Sequence, residues 1–176
     1  MNKRILVAYA SKYGSTKEIA EKIAGVLQQA GLQVDALPVT DIHDLAPYAA
    51  VILGSAVYIG KWMKSACDFL KEQEHALAGR PLWIFSTGPT GEGDPVALLE
   101  GWRLPPDQQP VIERLRPRAV TVFHGNIDAD RVNWIERTSV KALKKPFGDF
   151  RDWGLITSWA ASIVESLKAS ELAASN

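Results

Sequence analysis

The sequence has few of the features that disulfides, metal clusters or membrane-spanning helices require. One of its 176 residues is a cysteine, Cys67, so an internal disulfide and a cysteine-rich metal cluster are excluded. No apolar run approaches the length of a membrane-spanning helix, and the run that follows Met1–Arg4 is too short for a secretory signal. We therefore expect a cytoplasmic protein.

An excess of charge of either sign is also missing. Lys plus Arg and Asp plus Glu each number 20, so the overall charge does not direct the chain to nucleic acid. The histidines and carboxylates show no metal-ligand spacing, so no metal site is predicted. With 47% hydrophobic and 23% charged residues, the composition is that of an ordinary globular protein. The length suits one domain over residues 1–170, followed by a frayed tail at 171–176.

Strand and helix patterns alternate along the chain. Apolar residues at helical spacing predict helices over 19–30 and 61–78 and after Asp152, which can cap the last helix. This alternation predicts an α/β fold with three layers and a doubly wound parallel sheet. Two segments, 88–110 and 128–147, are longer than a structural connection needs, which is typical of functional loops. Five apolar segments predict the strands: residues 4–10, 33–39, 49–54, 81–86 and 118–123.

A polar loop follows the first predicted strand and precedes the first helix. It contains one glycine and three hydroxyl side chains, and a helix N-terminus holds phosphate through its N–H groups and partial positive charge. The loop lacks the further glycines of dinucleotide-binding motifs and the Gly-Lys of NTPase loops, which disfavours NAD and ATP. Alternatively, Ser15 only caps the helix and Glu18 completes a capping box. The candidate phosphate-binding residues are Ser11, Lys12, Tyr13, Gly14, Ser15 and Thr16.

This loop resembles the phosphate loop of flavodoxins, whose usual form is Thr or Ser, any residue, Thr, Gly, any residue, Thr. Tyr13 replaces the usual third-position Thr and removes one hydroxyl close to the phosphate. Within that family the chain resembles the group that includes the menaquinone-dependent protoporphyrinogen IX dehydrogenases, through this loop, residues 54–60, a basic segment after the fifth strand, and Asp152–Trp153. The resemblance implies a flavodoxin-like five-stranded sheet of order 2-1-3-4-5, with FMN bound at the carboxyl ends of the strands.

The resemblance also implies two flavin loops, which follow the third and fourth strands. Tyr58 and Trp62 are candidates to stack on the isoalloxazine ring, although Trp62 equally suits the core. Trp102 either covers the flavin or pins the long loop to the body of the protein. Of the three histidines, His124 alone is near the predicted ligand edge. The two loops consist of Ala56, Val57, Tyr58, Ile59 and Gly60, and of Thr87, Gly88, Pro89, Thr90 and Gly91.

Two classes of function are open on this evidence. One is an FMN-dependent oxidoreductase or electron carrier, with protoporphyrinogen IX dehydrogenase coupled to a quinone as its specific version. The other is a flavin-free interaction module on the same fold. The first class implies a redox partner protein or a small-molecule substrate. Because low-potential flavodoxins are strongly acidic, the balanced charge predicts that this protein is not a low-potential carrier.

The segment 131–145 is rich in basic residues. It carries five basic residues against one acid, with apolar residues interleaved. This pattern suits either an interfacial helix that contacts anionic lipid or a solvated helix that covers the sheet, and we favour the solvated helix.

Overall fold

Five parallel strands form the central sheet of the structure, a computed structural model that describes residues 4–130, 138 and 146–174. The strands are β1 (Arg4–Ala10), β2 (Val34–Pro38), β3 (Tyr48–Tyr58), β4 (Lys61–Trp62), β5 (Leu82–Thr87), β6 (Ala119–Phe123), β7 (Asn126–Ile127) and β8 (Gly148–Asp149). The helices are α1 (Ser15–Gln29), α2 (Lys64–Glu72), α3 (Glu74–Leu77), α4 (Pro95–Leu98), α5 (Gln109–Leu115) and α6 (Trp153–Ala174), and a 3₁₀ turn spans Val39–Asp41.

The strand order of the sheet is β2-β1-β3-β5-β6, with all neighbouring strands parallel. The two-residue strand β4 lies outside this path and pairs antiparallel with β3. Leaving β4 aside, the order is the predicted 2-1-3-4-5, which confirms the doubly wound topology. The short strands β7 and β8 pair with each other in a separate ribbon.

The sheet lies between two apolar layers because successive side chains of a strand point to opposite faces. In β1, Ile5 and Val7 pack in a cluster with apolar residues of α1 and α6. Leu6 and Ala8 pack in a second cluster that includes residues of α2 and α5. The strands are thus covered on both faces, which explains their nearly continuous apolar sequences.

The prediction of one continuous helix over residues 61–78 is wrong in two respects, the position of its start and the absence of a break. Lys61 and Trp62 form β4 instead, and the helical part is divided into α2 and α3 around Gln73. Trp62 is buried, and its indole Nε1 donates a hydrogen bond to Ser86 Oγ over 2.9 Å. This tertiary contact holds Trp62 in a hairpin, which helical periodicity alone does not reveal.

The long segment 88–110 is more ordered than its composition predicts. It contains α4 and leads into α5, a helix that the sequence analysis did not predict. Pro110 lies in the first turn of α5, where a proline is tolerated because the N–H that it lacks has no helical partner. At the other end of the chain, the expected tail is helical as far as Ala174.

Candidate functional site

The carboxyl ends of β1, β3 and β5 meet at a cleft. The three loops identified in the sequence lie at these strand ends, and residues of all three line the cleft. The second and third loops begin within the strands, since Ala56, Val57 and Tyr58 belong to β3 and Thr87 to β5. Its volume is about 580 Å³ including the open mouth. The lining residues are Ser11, Lys12, Tyr13, Ser15, Thr16, Ala56, Val57, Tyr58, Thr87, Gly88, Gly125, Asn126 and Ile127.

Gly14 shapes the first loop. It has a φ of +93° and is the N-cap of α1. Its amide donates a hydrogen bond to Ser11 Oγ over 3.0 Å, and its carbonyl accepts one from Glu18 N over 2.9 Å. A residue with a Cβ is strained at this φ, so the loop needs glycine here. Gly14 also has no side chain to cap the first-turn amides, an arrangement that suits anion binding.

The capping box considered for Ser15 and Glu18 is wrong. Ser15 is the first residue of the helix, and its Oγ accepts a hydrogen bond from Asn126 N over 3.1 Å. Glu18 forms an ion pair with Arg151, with 2.6 Å between Oε2 and the guanidinium nitrogen. Both side chains therefore connect α1 to the segment after β6 rather than to their own helix end.

A buried hydrogen bond joins the first loop to the third. Thr16 Oγ1 and Thr87 Oγ1 are 2.6 Å apart, and each residue is 1% exposed. Gly88 follows at a φ of +154°, and a Cβ at this position would lie 2.7 Å from the Val57 carbonyl oxygen. The third loop therefore approaches the second so closely that a side chain at Gly88 does not fit.

A tight turn joins β3 to β4 beside the cleft. Its two central residues, Ile59 and Gly60, have φ values of +50° and +70°. Positive φ at both positions is typical of a type I′ turn, in which Asn-Gly is favoured and a β-branched residue is strained. Ile59 is 70% exposed. The two residues thus lie beside the cleft, whereas Tyr58 lines it.

Lys12 brings a positive charge to aromatic side chains of the cleft. Its Nζ lies 3.7 Å from the centroid of the Tyr58 ring and 5.2 Å from that of the Tyr13 ring. Both distances fall within the range of cation–π attraction. The cleft thus combines hydroxyl groups, aromatic faces and one ammonium group.

Comparison with protein families identifies this arrangement. The family model of the flavodoxin domain matches residues 6–153. The chain belongs to the flavodoxin domain family. Membership suggests flavin binding in the service of electron transfer or oxidoreduction.

Individual relatives of this flavodoxin domain are distant. The chain is 23% identical over 179 residues to protoporphyrinogen IX dehydrogenase [quinone] of Escherichia coli K12, covering 91% of this chain and 94% of that protein. It is 29% identical over 117 residues to NAD(P)H dehydrogenase (quinone) of Rhodopseudomonas palustris, covering 51% of this chain and 59% of that protein. An archaeal flavodoxin structure matches 94% of this chain and 99% of its own with a TM-score of 0.64 at 14% identity, which supports the fold.

The rest of the third loop of the flavodoxin domain lies outside the cleft lining. The Pro89 carbonyl oxygen is 3.2 Å from His124 Nδ1, and the Gly93 carbonyl oxygen is 2.9 Å from His124 Nε2. Thr90 is 6% exposed, and among the described residues its Oγ1 has no hydrogen-bond partner. A buried hydroxyl without a hydrogen-bond partner is energetically costly. Gly91 is the next residue after Thr90, and it adopts a φ of +123°.

The sequence analysis missed a fourth part of the cleft. Gly125, Asn126 and Ile127 line it directly after β6. Gly125 lies against Gly88, where a Cβ on Gly125 would be 3.1 Å from the Gly88 Cα. The rule that ligands bind beyond the carboxyl ends of parallel strands applies to β6 as well, and it could have drawn attention to these residues.

Arg151 fastens the segment after β6 to the first helix. Its side chain is only 5% exposed and pairs with Glu18 and Asp149, each over 2.6 Å. The hydrogen bond from Arg151 holds the pKa of the Asp149 carboxyl below its ordinary value, against the opposing effect of burial. Because Asn126 and Asp149 are paired in the β7–β8 ribbon, this ion pair also supports Asn126 where it meets Ser15.

The two tryptophans considered for the flavin have other contacts. Trp62 belongs to the core cluster below the sheet. Trp102 is half-buried outside the cleft lining, and the next residue, Arg103, accepts a hydrogen bond from Ser86 Oγ over 3.1 Å through its carbonyl. The long loop is thus attached to β5 beside Trp102.

The basic segment 131–145 lies outside the described residues apart from Thr138. Across the part of the chain that the structure describes, no helix is long and apolar enough to span a bilayer.

Proposed function

We propose that this protein binds FMN in the cleft and uses it as an electron carrier or oxidoreductase. The observation that carries the proposal is the convergence of three loops, each at the carboxyl end of a different parallel strand, on one cleft. Such a position is the usual ligand site of open α/β sheets.

The residues present fit the two chemically different ends of FMN. The start of α1, with Ser11, Ser15 and Thr16 beside it, suits a dianionic phosphate because it offers hydroxyl donors and the positive end of a helix. Tyr58 and Val57 suit the flat apolar ring.

Bound FMN would supply the ability to accept and donate one or two electrons. The residues of this chain would hold the phosphate, orient the ring and set the electrostatic field around it. Among the residues lining the cleft, the described ones include hydroxyls, aromatics and a lysine but no carboxylate or histidine.

A binding titration tests the proposal. The purified apoprotein is titrated with FMN and with riboflavin, and flavin fluorescence is followed. We expect FMN to bind at least about 100-fold more tightly, since riboflavin lacks the phosphate that α1 would hold. Ser11→Ala should reduce this difference, because the Ser11 hydroxyl holds Gly14 N in place.

Ser162→Ala is the matched control, since it removes a hydroxyl that donates only within α6. It should leave both affinities unchanged. A colourless protein that changes the fluorescence of neither flavin would overturn the proposal and favour a flavin-free interaction module.

A quinone is the electron acceptor that we consider first. The two curated relatives are named as quinone-dependent dehydrogenases, one of protoporphyrinogen IX and one of NAD(P)H. The FMN-loaded protein is reduced with dithionite and mixed anaerobically with a soluble quinone, and flavin absorbance is recorded. Rapid reoxidation of the flavin supports a quinone acceptor. If the flavin stays reduced, the proposal narrows to an electron carrier whose acceptor is a protein.

Protoporphyrinogen IX is the specific substrate to test on the oxidised protein. Bleaching of the flavin by porphyrinogen would support the dehydrogenase function. A flavin that stays oxidised would restrict the proposal to electron transfer.

A further inference from the structure

We infer that Lys12 is a redox-tuning residue, whose ammonium group stabilises reduced FMN more than oxidised FMN. The inference rests on the proposed function and concerns this chain's own side chain in the cleft. Its basis is the position of the Lys12 Nζ, 3.7 Å from the centroid of the Tyr58 ring.

The Lys12 side chain reaches from the phosphate loop to a different loop. Its backbone precedes Gly14, the N-cap of α1, whereas its Nζ lies over Tyr58 at the end of β3. Tyr58 belongs to the loop proposed to contact the flavin ring. The charge of Lys12 therefore lies against the part of the cleft that is proposed to bind the ring.

Cation–π contacts hold the ammonium group in this position. Tyr58 presents the closer ring, and the Tyr13 centroid is 5.2 Å from the same nitrogen. Contacts of this kind restrict a long, flexible side chain without neutralising its charge. Lys12 thus brings a positive charge to the aromatic surface.

The other described residues of the cleft lining are neutral. They are Ser, Tyr, Thr, Ala, Val, Gly, Asn and Ile residues, so within the described lining Lys12 supplies the formal charge. Charges near a flavin ring shift its redox balance. A cation in an environment less polar than water acts on a new negative charge more strongly than it would in bulk solvent.

Reduction creates that negative charge. Oxidised FMN takes up two electrons and one proton to give a reduced ring with one negative charge, while its phosphate is unchanged. A cation near the ring therefore favours the reduced form. A cation that contacted only the phosphate would strengthen the binding of oxidised and reduced FMN equally. The ratio of the two affinities therefore tests the inference.

The experiment compares affinities for the two redox forms. Dissociation constants of oxidised FMN and of FMN reduced anaerobically with dithionite are measured for the wild-type protein and for Lys12→Met. We expect the ratio of reduced to oxidised affinity to fall about tenfold in Lys12→Met. This fold-change corresponds to a two-electron potential lower by about 30 mV.

Two variants separate charge from packing. Lys12→Arg keeps the charge and the cation–π contact, so it should preserve the ratio to within about threefold. Lys17→Met removes an exposed lysine of α1 that pairs with Glu21, and it should leave the ratio unchanged.

The outcomes distinguish this inference from the proposed function. If the wild-type protein binds both forms and Lys12→Met weakens them equally, Lys12 serves the phosphate or the loop and the inference is wrong. The same holds if Lys17→Met changes the ratio as much as Lys12→Met. If the wild-type protein binds neither form, the proposed function itself fails, and the inference fails with it.

Discussion

The two edges of the central sheet use polar residues in opposite ways. At the amino edge, charged side chains bind one another or the backbone: Arg4 pairs with Asp35 over 3.1 Å, and Arg118 donates to the Ser166 carbonyl oxygen over 3.4 Å. At the carboxyl edge, glycines and small hydroxyl residues such as Ser11, Thr87 and Gly88 line an open cleft.

This difference shows at which edge the polar groups are paired with one another and at which edge there is room for a ligand. The amino edge is linked from strand to strand, since Tyr48 at the start of β3 donates to Asp35 of β2 over 2.9 Å and accepts from Arg80 Nε through its carbonyl over 3.1 Å. The carboxyl edge keeps a buried hydroxyl, on Thr90, with no partner among the described residues. Substitutions at matched positions on the two edges test whether this contrast is functional.

The largest effect is expected at Gly88. Gly88→Ala would place a Cβ 2.7 Å from the Val57 carbonyl oxygen at a φ of +154°, so the loops must separate. We expect the free energy of unfolding to fall by about 3 kcal/mol. Flavin binding should be lost with it, as urea unfolding and FMN titration would show.

Gly79→Ala is the matched variant at the amino edge. Gly79 has a φ of +80° and nothing within 4 Å of a Cβ, so its substitution should cost only about 1 kcal/mol. Equal losses of stability in the two variants would contradict the view that the carboxyl edge is closely packed around the cleft.

Arg151→Met should have the next largest effect. It leaves Glu18 and Asp149 without their shared partner, and we expect a loss of about 2 kcal/mol in the free energy of unfolding. Arg4→Met, at the amino edge, breaks a more exposed pair and should cost about 0.5 kcal/mol. Urea unfolding of both variants at neutral pH measures the difference.

The Arg151 effect should also depend on pH. Because the pKa of Asp149 is lowered in the folded protein, its contribution to stability is present above the unfolded-state pKa of about 3.9 and is lost as pH falls through the folded value. The wild-type protein should therefore lose its advantage over Arg151→Met in acid. A difference that stays constant down to pH 2 would count against this ion pair.

How much of this contrast follows from the sequence depends on the range of the interactions involved. The strand order was expected from the resemblance to flavodoxins. The strands themselves were predictable because buried parallel strands have continuous apolar sequences, as in residues 4–10. The start of the last helix, capped by Asp152, was also predictable, and the structure confirms it through the Leu155 N to Asp152 Oδ1 hydrogen bond of 2.9 Å. These features depend on neighbouring residues.

Features that depend on distant residues were missed or misplaced. Ser15 was considered as a helix cap, but its hydroxyl accepts from Asn126, more than 100 residues away. Trp62 continues a helical pattern in sequence and is nevertheless held in a hairpin by Ser86. Local periodicity contains no information about such partners. The binding role of the individual cleft residues stays a prediction.

A smaller effect is expected at the Thr16–Thr87 pair. Thr16→Val leaves the buried Thr87 hydroxyl without its partner at 2.6 Å and should cost about 1.5 kcal/mol. Tyr48→Phe removes the bond to Asp35 at the amino edge and should cost about 1 kcal/mol or less, since water can reach the carboxylate.

The double variant Thr16→Val with Thr87→Val sharpens the test. Replacing both hydroxyls leaves no buried group unsatisfied, so stability should recover much of its wild-type value. If FMN affinity stays low while stability recovers, the hydroxyl pair serves the ligand. If both recover together, the pair is only structural.

The smallest change is expected at the two described non-glycine residues at opposite edges that share a φ of +50°, Ile59 beside the cleft and Arg116 at the end of α5. Asn adopts this conformation more readily than either, so Ile59→Asn should stabilise the protein by about 1 kcal/mol and Arg116→Asn by about half as much. Thermal unfolding measures both gains. Ile59 should gain more because it is β-branched and because its exposed side chain loses little packing.

If Ile59→Asn is more stable but binds flavin more weakly, whereas Arg116→Asn changes stability alone, then strain at the carboxyl edge is retained for the ligand. A loss of stability at Ile59 would show that the turn is held by contacts that outweigh its strain, and the contrast between the two edges would then rest on the cleft alone.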